Sequence, residues 1–162
     1  MPTIETPVEK WSGQVREITL GATAAEGGTR QKTITVGGET TLPFLHFEGN
    51  MPHSPIIAIE IQDRPPADWP PVLLDAWGDA VNDVATWAKA AEERGADMIL
   101  LRFALHKDLT AEYARQTLRK VLEATGLPLI VFGPGQADID NEILVPVAEE
   151  GEGENLLLGI CE

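Results

Sequence analysis

The sequence has little of what several common kinds of site require. Cys161 is the only cysteine among 162 residues. A lone cysteine forms no intramolecular disulfide and cannot supply the several thiolates that an iron–sulfur cluster needs. Lys and Arg total 12 against 26 Asp and Glu, which gives a formal charge of −14 that repels nucleic-acid phosphates and anionic lipid. These features argue against nucleic-acid and membrane partners.

Long apolar segments are also missing. The apolar runs at residues 56–61 and 155–160 are much shorter than the ~20 residues that cross a bilayer. Residues 1–16 lack the basic start and apolar centre of a secretory signal. We therefore predict a soluble, cytoplasmic protein with one sizeable hydrophobic core.

An N-terminal extension, residues 1–55, precedes the main pattern. Residues 14–20 and 32–36 alternate between apolar and polar side chains, and the connection between them contains Gly27 and Gly28. This pattern predicts a β-hairpin. Residues 41–51 mix aromatic side chains with proline and glycine, which is typical of an ordered loop.

Residues 56–162 repeat a strand and helix pattern. Strands are predicted at residues 56–61, 97–103, 129–132 and 155–160. Apolar side chains at helical spacing lie between them, with Thr110 placed to cap the second helix and Pro146 expected to kink or shorten the third. Prolines 65, 66, 70 and 71 should interrupt regular structure, with the first helix starting near Trp77.

Strands that alternate with amphipathic helices predict an α/β fold with a parallel sheet. The two candidate architectures are a doubly wound sheet and a (β/α) barrel of the TIM type. Eight strands and ~250 residues make a typical barrel, so four strands would supply only its first half.

Several blocks in a fixed order carry a resemblance to a known family. They include residues 20–30 (LGATAAEGGTR), 33–38 (TITVGG), 42–49 (LPFLHFEG), 60–63 (EIQD) and 154–159 (ENLLLG). Together they resemble the N-terminal half of the small, or delta, subunit of the corrinoid iron–sulfur protein in the acetyl-CoA decarbonylase/synthase system.

The resemblance implies a (β/α) barrel subunit that is not itself the catalyst. Such a subunit would pair with a large corrinoid iron–sulfur subunit, which holds the iron–sulfur cluster and most of the cobamide site. The pair would receive a methyl group from a methylpterin through a separate methyltransferase and deliver it to acetyl-CoA synthase. The family's chain continues beyond the point where this sequence stops, so cofactor contacts from the remainder cannot be assigned.

Candidate cofactor-binding residues follow from the barrel expectation, since functional groups collect at the carboxyl ends of barrel strands. These residues are Gln62, Asp63, Arg102, Gly133 and Gly135. Glycine would let the backbone approach a corrin or pterin edge, although an ordinary turn explains the two glycines equally well. For Arg102 we favour an internal pair with Asp63 or Glu60, and for both carboxylates a structural pairing.

Other conspicuous residues are interpreted as structural. His46 is expected to be a packed, hydrogen-bonded side chain and Cys161 a buried thiol. The segment Gly27-Gly28-Thr29-Arg30 precedes a strand and lacks the Walker lysine, which makes nucleotide binding a poor hypothesis.

Two alternatives stay open beside the carrier subunit. One is a pterin-dependent methyltransferase of the related barrel type, suggested by acidic residues and Gly-Pro-Gly at strand ends. The other is a truncated product or cut domain that assembles with a second half-barrel, because one sheet face would otherwise be uncovered.

Overall fold

The computed structural model describes residues 5–159. These residues form two compact units, one made of residues up to 19 together with 35–55, the other of residues 20–34 together with those from 56 onward. Residues 20–34, which belong to the predicted N-terminal extension, are thus part of the second unit, and the predicted division into two domains at residue 55 stays a prediction. Within residues 5–159, no helix is long and apolar enough to cross a membrane.

The first sheet is the predicted hairpin. Strand β1 (Ile18–Leu20) pairs with β2 (Ile34–Val36) in an antiparallel two-stranded sheet. Both strands are shorter than the alternating stretches in the sequence. The Thr19 and Thr35 hydroxyls are hydrogen-bonded across the pair at 3.0 Å. The segment at 41–51, predicted as an ordered loop, contains one short 3₁₀ turn, Pro43–Leu45.

The second sheet has four parallel strands in chain order, as predicted. They are β3 (Ala58–Gln62), β4 (Met98–Arg102), β5 (Leu129–Phe132) and β6 (Leu157–Gly159). Each strand connects to the next through helical structure, which confirms the α/β class. The (β/α) barrel remains a prediction.

Three long helices cover one face of this sheet: α2 (Val84–Glu93), α3 (Ala111–Ala124) and α4 (Ala137–Glu150). The predicted cap at Thr110 is confirmed, because its hydroxyl accepts a hydrogen bond from the Tyr113 backbone N–H at 3.2 Å. Asp83 caps α2 in the same way through the Thr86 N–H at 2.8 Å. These caps satisfy backbone donors that have no partner inside the helix.

The two faces of the parallel sheet differ in burial. Alternate strand residues such as Ile61, Leu101 and Val131 are fully buried against the helices, with Trp87 of α2 at the centre of the core. The intervening residues, including Glu60, Leu100 and Phe132, are only partly buried on the other face. The side-chain period of two in a strand produces this division.

Proline has milder effects than the sequence suggested. Pro71 does not prevent a helix but begins one, α1 (Pro71–Trp77), because the first helical position needs no intrahelical N–H donor. The first helix was predicted to start near Trp77, but that residue ends α1, and a short 3₁₀ turn follows before α2. Pro146 does not end α4, which continues to Glu150, and the nearby Leu144 and Val147 are buried in the core, while the predicted kink stays a prediction. Packing therefore outweighs the missing hydrogen bond.

Candidate functional site

The carboxyl ends of β3, β4, β5 and β6 bring polar and aromatic side chains into one row. Gln62 lies in register with Arg102, Arg102 with Phe132, and Phe132 with Gly159. Residues in register on neighbouring parallel strands point to the same face. These four positions therefore share the face that the helices leave uncovered.

Arg102 and Glu60 form an ion pair on this face. The Arg102 Nε lies 3.1 Å from Glu60 Oε1, and the two side chains are 37% and 36% exposed. The Arg102 guanidinium also stacks over Phe132, 5.1 Å from the ring centroid. The internal pair favoured for Arg102 is thus present with Glu60. Because the pair is about one-third exposed, it offers both donors and acceptors to a neighbouring molecule.

Asp63, by contrast, is turned inward. Its side chain is fully buried, and its Oδ1 accepts the Ala104 backbone N–H at 2.8 Å. Its Oδ2 lies 2.9 Å from His106 Nε2, and His106 Nδ1 accepts the Asp108 N–H at 3.2 Å. This bonding holds the connection after β4 against the end of β3. The structural pairing expected for this carboxylate is what the geometry displays.

Tyr113 completes this cluster from α3. Its hydroxyl donates to the Asp63 carbonyl oxygen at 3.1 Å, and its ring packs edge-on to His106 with centroids 5.1 Å apart. Burial, followed by the negative charge of Asp63, raises the pKa of the Tyr113 hydroxyl above its ordinary value, and a hydrogen bond to Thr117 and then the charge of Arg64 oppose that rise. The tyrosine is therefore held neutral as a hydrogen-bond donor at physiological pH.

Gly133 and Gly135 shape the turn between β5 and α4. Gly135 has φ +84°, a conformation that favours glycine, and its N–H donates to Asp140 Oδ1 at 3.0 Å. A side chain at Gly133 would overlap the buried Asp140 carboxylate. Both glycines therefore have a local structural reason, while space for a Cβ at Gly135 is open.

The structure brings together only part of the predicted site. Gln62 and Arg102 share the uncovered face, and the turn of Gly133 and Gly135 follows the neighbouring strand. The carboxylate of Asp63 is buried away from that face. The role of all five residues in binding a cofactor remains a prediction.

Two residues outside that set, His46 and Cys161, were predicted to be structural. His46 is exposed and contacts the Phe47 ring edge-on, so it is not the packed side chain expected. Cys161 lies outside the described residues. Among residues 5–159, no three His, Cys, Asp or Glu side chains are grouped so as to hold a metal ion.

The sequence reasoning missed the role of Arg30, which is 3% exposed. Its Nε donates to Glu154 Oε2 at 2.7 Å, and its terminal nitrogens donate to the carbonyls of Leu122 and Thr125 at 2.8 and 2.7 Å. This guanidinium joins the residue 20–34 segment to the end of α3 and the loop before β6. Nothing in the local Gly-Gly-Thr-Arg pattern indicates a partner 124 residues away.

Comparison with known proteins identifies the family to which the chain is similar. The family model for the CO dehydrogenase/acetyl-CoA synthase delta subunit matches residues 17–160. Acetyl-CoA decarbonylase/synthase complex subunit delta of Archaeoglobus fulgidus is 39% identical over 155 residues, which are 93% of this chain and 34% of that protein.

Two further relatives carry the same description. The delta subunit of Methanopyrus kandleri is 34% identical over 90% of this chain and 37% of its own length. The delta subunit of Methanocaldococcus jannaschii is 33% identical over 95% of this chain and 38% of its own length. The chain thus spans about a third of the length of these relatives, a smaller share than the half expected from the resemblance. The chain belongs to the CO dehydrogenase/acetyl-CoA synthase delta subunit family.

Proposed function

We propose that this chain supplies the first half of a (β/α) barrel in a delta subunit of the acetyl-CoA decarbonylase/synthase complex, and that it supports a methyl carrier without being its catalyst. Membership of the delta subunit family is the observation that carries this proposal.

The uncovered sheet face supports the barrel part of the proposal. Leu100, Ile130 and Phe132 are only partly buried, and Leu157 is 39% exposed. Among the described residues, β3 and β6 each pair with one strand only. Further parallel strands would cover the apolar side chains and satisfy both edges, as closure does in barrels.

The residues on this face fit the periphery of a cobamide. The corrin edge carries amide groups, which both donate and accept hydrogen bonds. Arg102 supplies donors, Glu60 supplies acceptors, and the Gln62 amide supplies both. The Phe132 ring adds an apolar surface, and it packs over Gly159, where a side chain would overlap the ring.

Each residue would then have a limited task. When bound, a cobamide supplies the cobalt that carries the methyl group. Arg102 and Gln62 would orient the cofactor through its amides, and the turn of Gly133 and Gly135 would allow a close backbone approach. Asp63 would act indirectly, by fixing the connection after β4 through Ala104 and His106.

The proposed partners follow from the same assignment. A large corrinoid iron–sulfur subunit would carry the cluster, since a cluster needs several thiolates and this chain contains one cysteine. A methyltransferase would supply the methyl group from a methylpterin, and acetyl-CoA synthase would accept it. The cobamide would lie at the interface with the large subunit, in the cytoplasm.

Affinity purification of the tagged chain from its native cells tests the proposal. We expect the visible absorption spectrum of a cobamide together with a large, iron-containing partner identified by mass. The Arg102→Gln variant should retain less cobamide per chain, whereas Arg115→Gln, which breaks a pair on the outer helices, should match the wild type.

Two results would contradict the proposal. A colourless preparation with no partner would remove the carrier role. Methyl transfer from a methylpterin to free cobalamin by this polypeptide alone would instead support the pterin-dependent methyltransferase.

A further inference from the structure

Arg64 lies just beyond the end of β3, at the carboxyl edge of the parallel sheet. It is followed by Pro65 and Pro66, of which Pro66 is buried. A residue that precedes proline is restricted to extended conformations, so the backbone at Arg64 has little freedom.

The Arg64 guanidinium has no partner among the described residues. Its Nε is buried without a hydrogen-bond partner, and the side chain forms no ion pair with residues 5–159. The other arginines of this part of the chain either bond to a neighbour or lie exposed on the surface: Arg30, Arg94, Arg102, Arg115 and Arg119 are bonded, and Arg16 is exposed. Arg64 is thus a partly buried cation without an acceptor.

The adjacent carboxylate does not relieve this deficit. Each oxygen of Asp63 accepts one hydrogen bond, one from the Ala104 N–H and the other from His106 Nε2, and no hydrogen bond or ion pair joins either oxygen to Arg64. Tyr113 uses its hydroxyl hydrogen on the Asp63 carbonyl. The groups beside Arg64 therefore bond to one another, and native proteins seldom leave a buried donor unmatched without a reason such as a bound ion.

We propose that Arg64 anchors an anion-binding site at the carboxyl end of β3, with a carboxylate or phosphate group of a small molecule as the ligand. A guanidinium donates two parallel hydrogen bonds that match both groups. The carboxyl edge of a parallel sheet is also where α/β proteins bind ligands. The site is independent of the carrier role, because binding of an anion requires neither a cobamide nor a partner subunit.

The site has a built-in reporter, since Tyr113 is the only tyrosine in the chain. Burial and then the charge of Asp63 raise the pKa of the Tyr113 hydroxyl, whereas a hydrogen bond to Thr117 and, to a smaller extent, the charge of Arg64 lower it. An anion on Arg64 cancels that charge, so the pKa of Tyr113 should rise when the anion binds. Tyrosinate absorption, followed during an alkaline titration with circular dichroism as a check on folding, measures this change.

The experiment uses the full chain with inorganic phosphate and, separately, acetate. Calorimetric titration at neutral pH should give saturable binding to the wild type. In Arg64→Gln binding should weaken at least about tenfold, which corresponds to about 1.4 kcal/mol, and the pKa of Tyr113 should rise and no longer respond to the anion. Arg64→Lys, which keeps the charge without the fork, should lie between the two.

Arg16→Gln is the matched control, because Arg16 is exposed and belongs to the other compact unit. It should bind both anions as the wild type does. Binding stronger for phosphate identifies a phosphoryl ligand, and binding stronger for acetate identifies a carboxylate. Absence of saturable binding, or equal binding by the wild type and a folded Arg64→Gln, would overturn the proposal.

Discussion

Replacement of Arg30 by methionine should strongly destabilise the parallel-sheet unit. The guanidinium is 1% exposed and the Glu154 side chain 9%. Removing one member of a buried ion pair typically costs about 3–5 kcal/mol, because the remaining charge stays buried without compensation. In Arg30→Met the carbonyls of Leu122 and Thr125 also lose their donor. We therefore expect about 4 kcal/mol.

Urea unfolding followed by tryptophan fluorescence measures this loss, since Trp87 is fully buried in the core. The midpoint should fall while the slope with denaturant stays constant. For a protein of this size, a loss of ~4 kcal/mol corresponds to a decrease in Tm of roughly 8–16 °C. Trp11 lies in the other compact unit, so Trp11→Phe provides a background in which the signal reports on the sheet.

Two further variants separate the pair from its surroundings. The double variant Arg30→Met/Glu154→Gln should be less destabilised than the sum of the single variants, with a coupling of about 1–3 kcal/mol. Arg115→Met removes an exposed pair with Glu149 and should cost at most about 1 kcal/mol. An Arg30→Met variant no less stable than Arg115→Met would refute the reasoning.

Two smaller effects are also expected. Hydrogen bonds from the Thr86 side chain and then its backbone N–H lower the pKa of Asp83. This group therefore stabilises the fold above the ordinary aspartate pKa and loses that contribution as pH falls through the lowered pKa. The Asp83→Asn variant should flatten the acid side of a plot of Tm against pH, and an unchanged plot would contradict this expectation. In urea unfolding, Gly135→Ala should lower the free energy of unfolding by ~1 kcal/mol, and Gly133→Ala should lower it by more. The reason is that a Cβ at Gly133 would overlap the buried Asp140 carboxylate, whereas the space at Gly135 is open. Equal losses in the two variants would argue against that contact.

The elements that depend on local pattern were predictable from the sequence. Strand β5 was predicted with its observed ends because the apolar run at 129–132 stands between Pro128 and Gly133. The cap at Thr110 follows from a hydroxyl placed before an amphipathic stretch. Helix α1 was missed because proline was interpreted only as a breaker, whereas Pro71 occupies the one helical position that suits it.

The pair between Arg102 and Glu60 was within reach of the same reasoning. The two residues belong to consecutive parallel strands, and consecutive strands usually pair. A charge inside an otherwise apolar strand must face the less buried side, so both charges share one face. No such sequence pattern predicts the pairing of Arg30 with Glu154, since the two residues lie in irregular segments and are 124 positions apart.

The contrast between Asp63 and Arg64 identifies what sequence reasoning could not decide at the candidate site. Position alone favours Asp63, an acidic residue directly after a strand. Whether its carboxylate is available depends on its burial and on Ala104 and His106, which come from another connection and each bond to one of its oxygens. Those bonds hold the Asp63 carboxylate in place, and no hydrogen bond or ion pair joins it to Arg64. The buried donor without a partner at this edge therefore belongs to the neighbour of the predicted residue, and that neighbour is a cation rather than an anion.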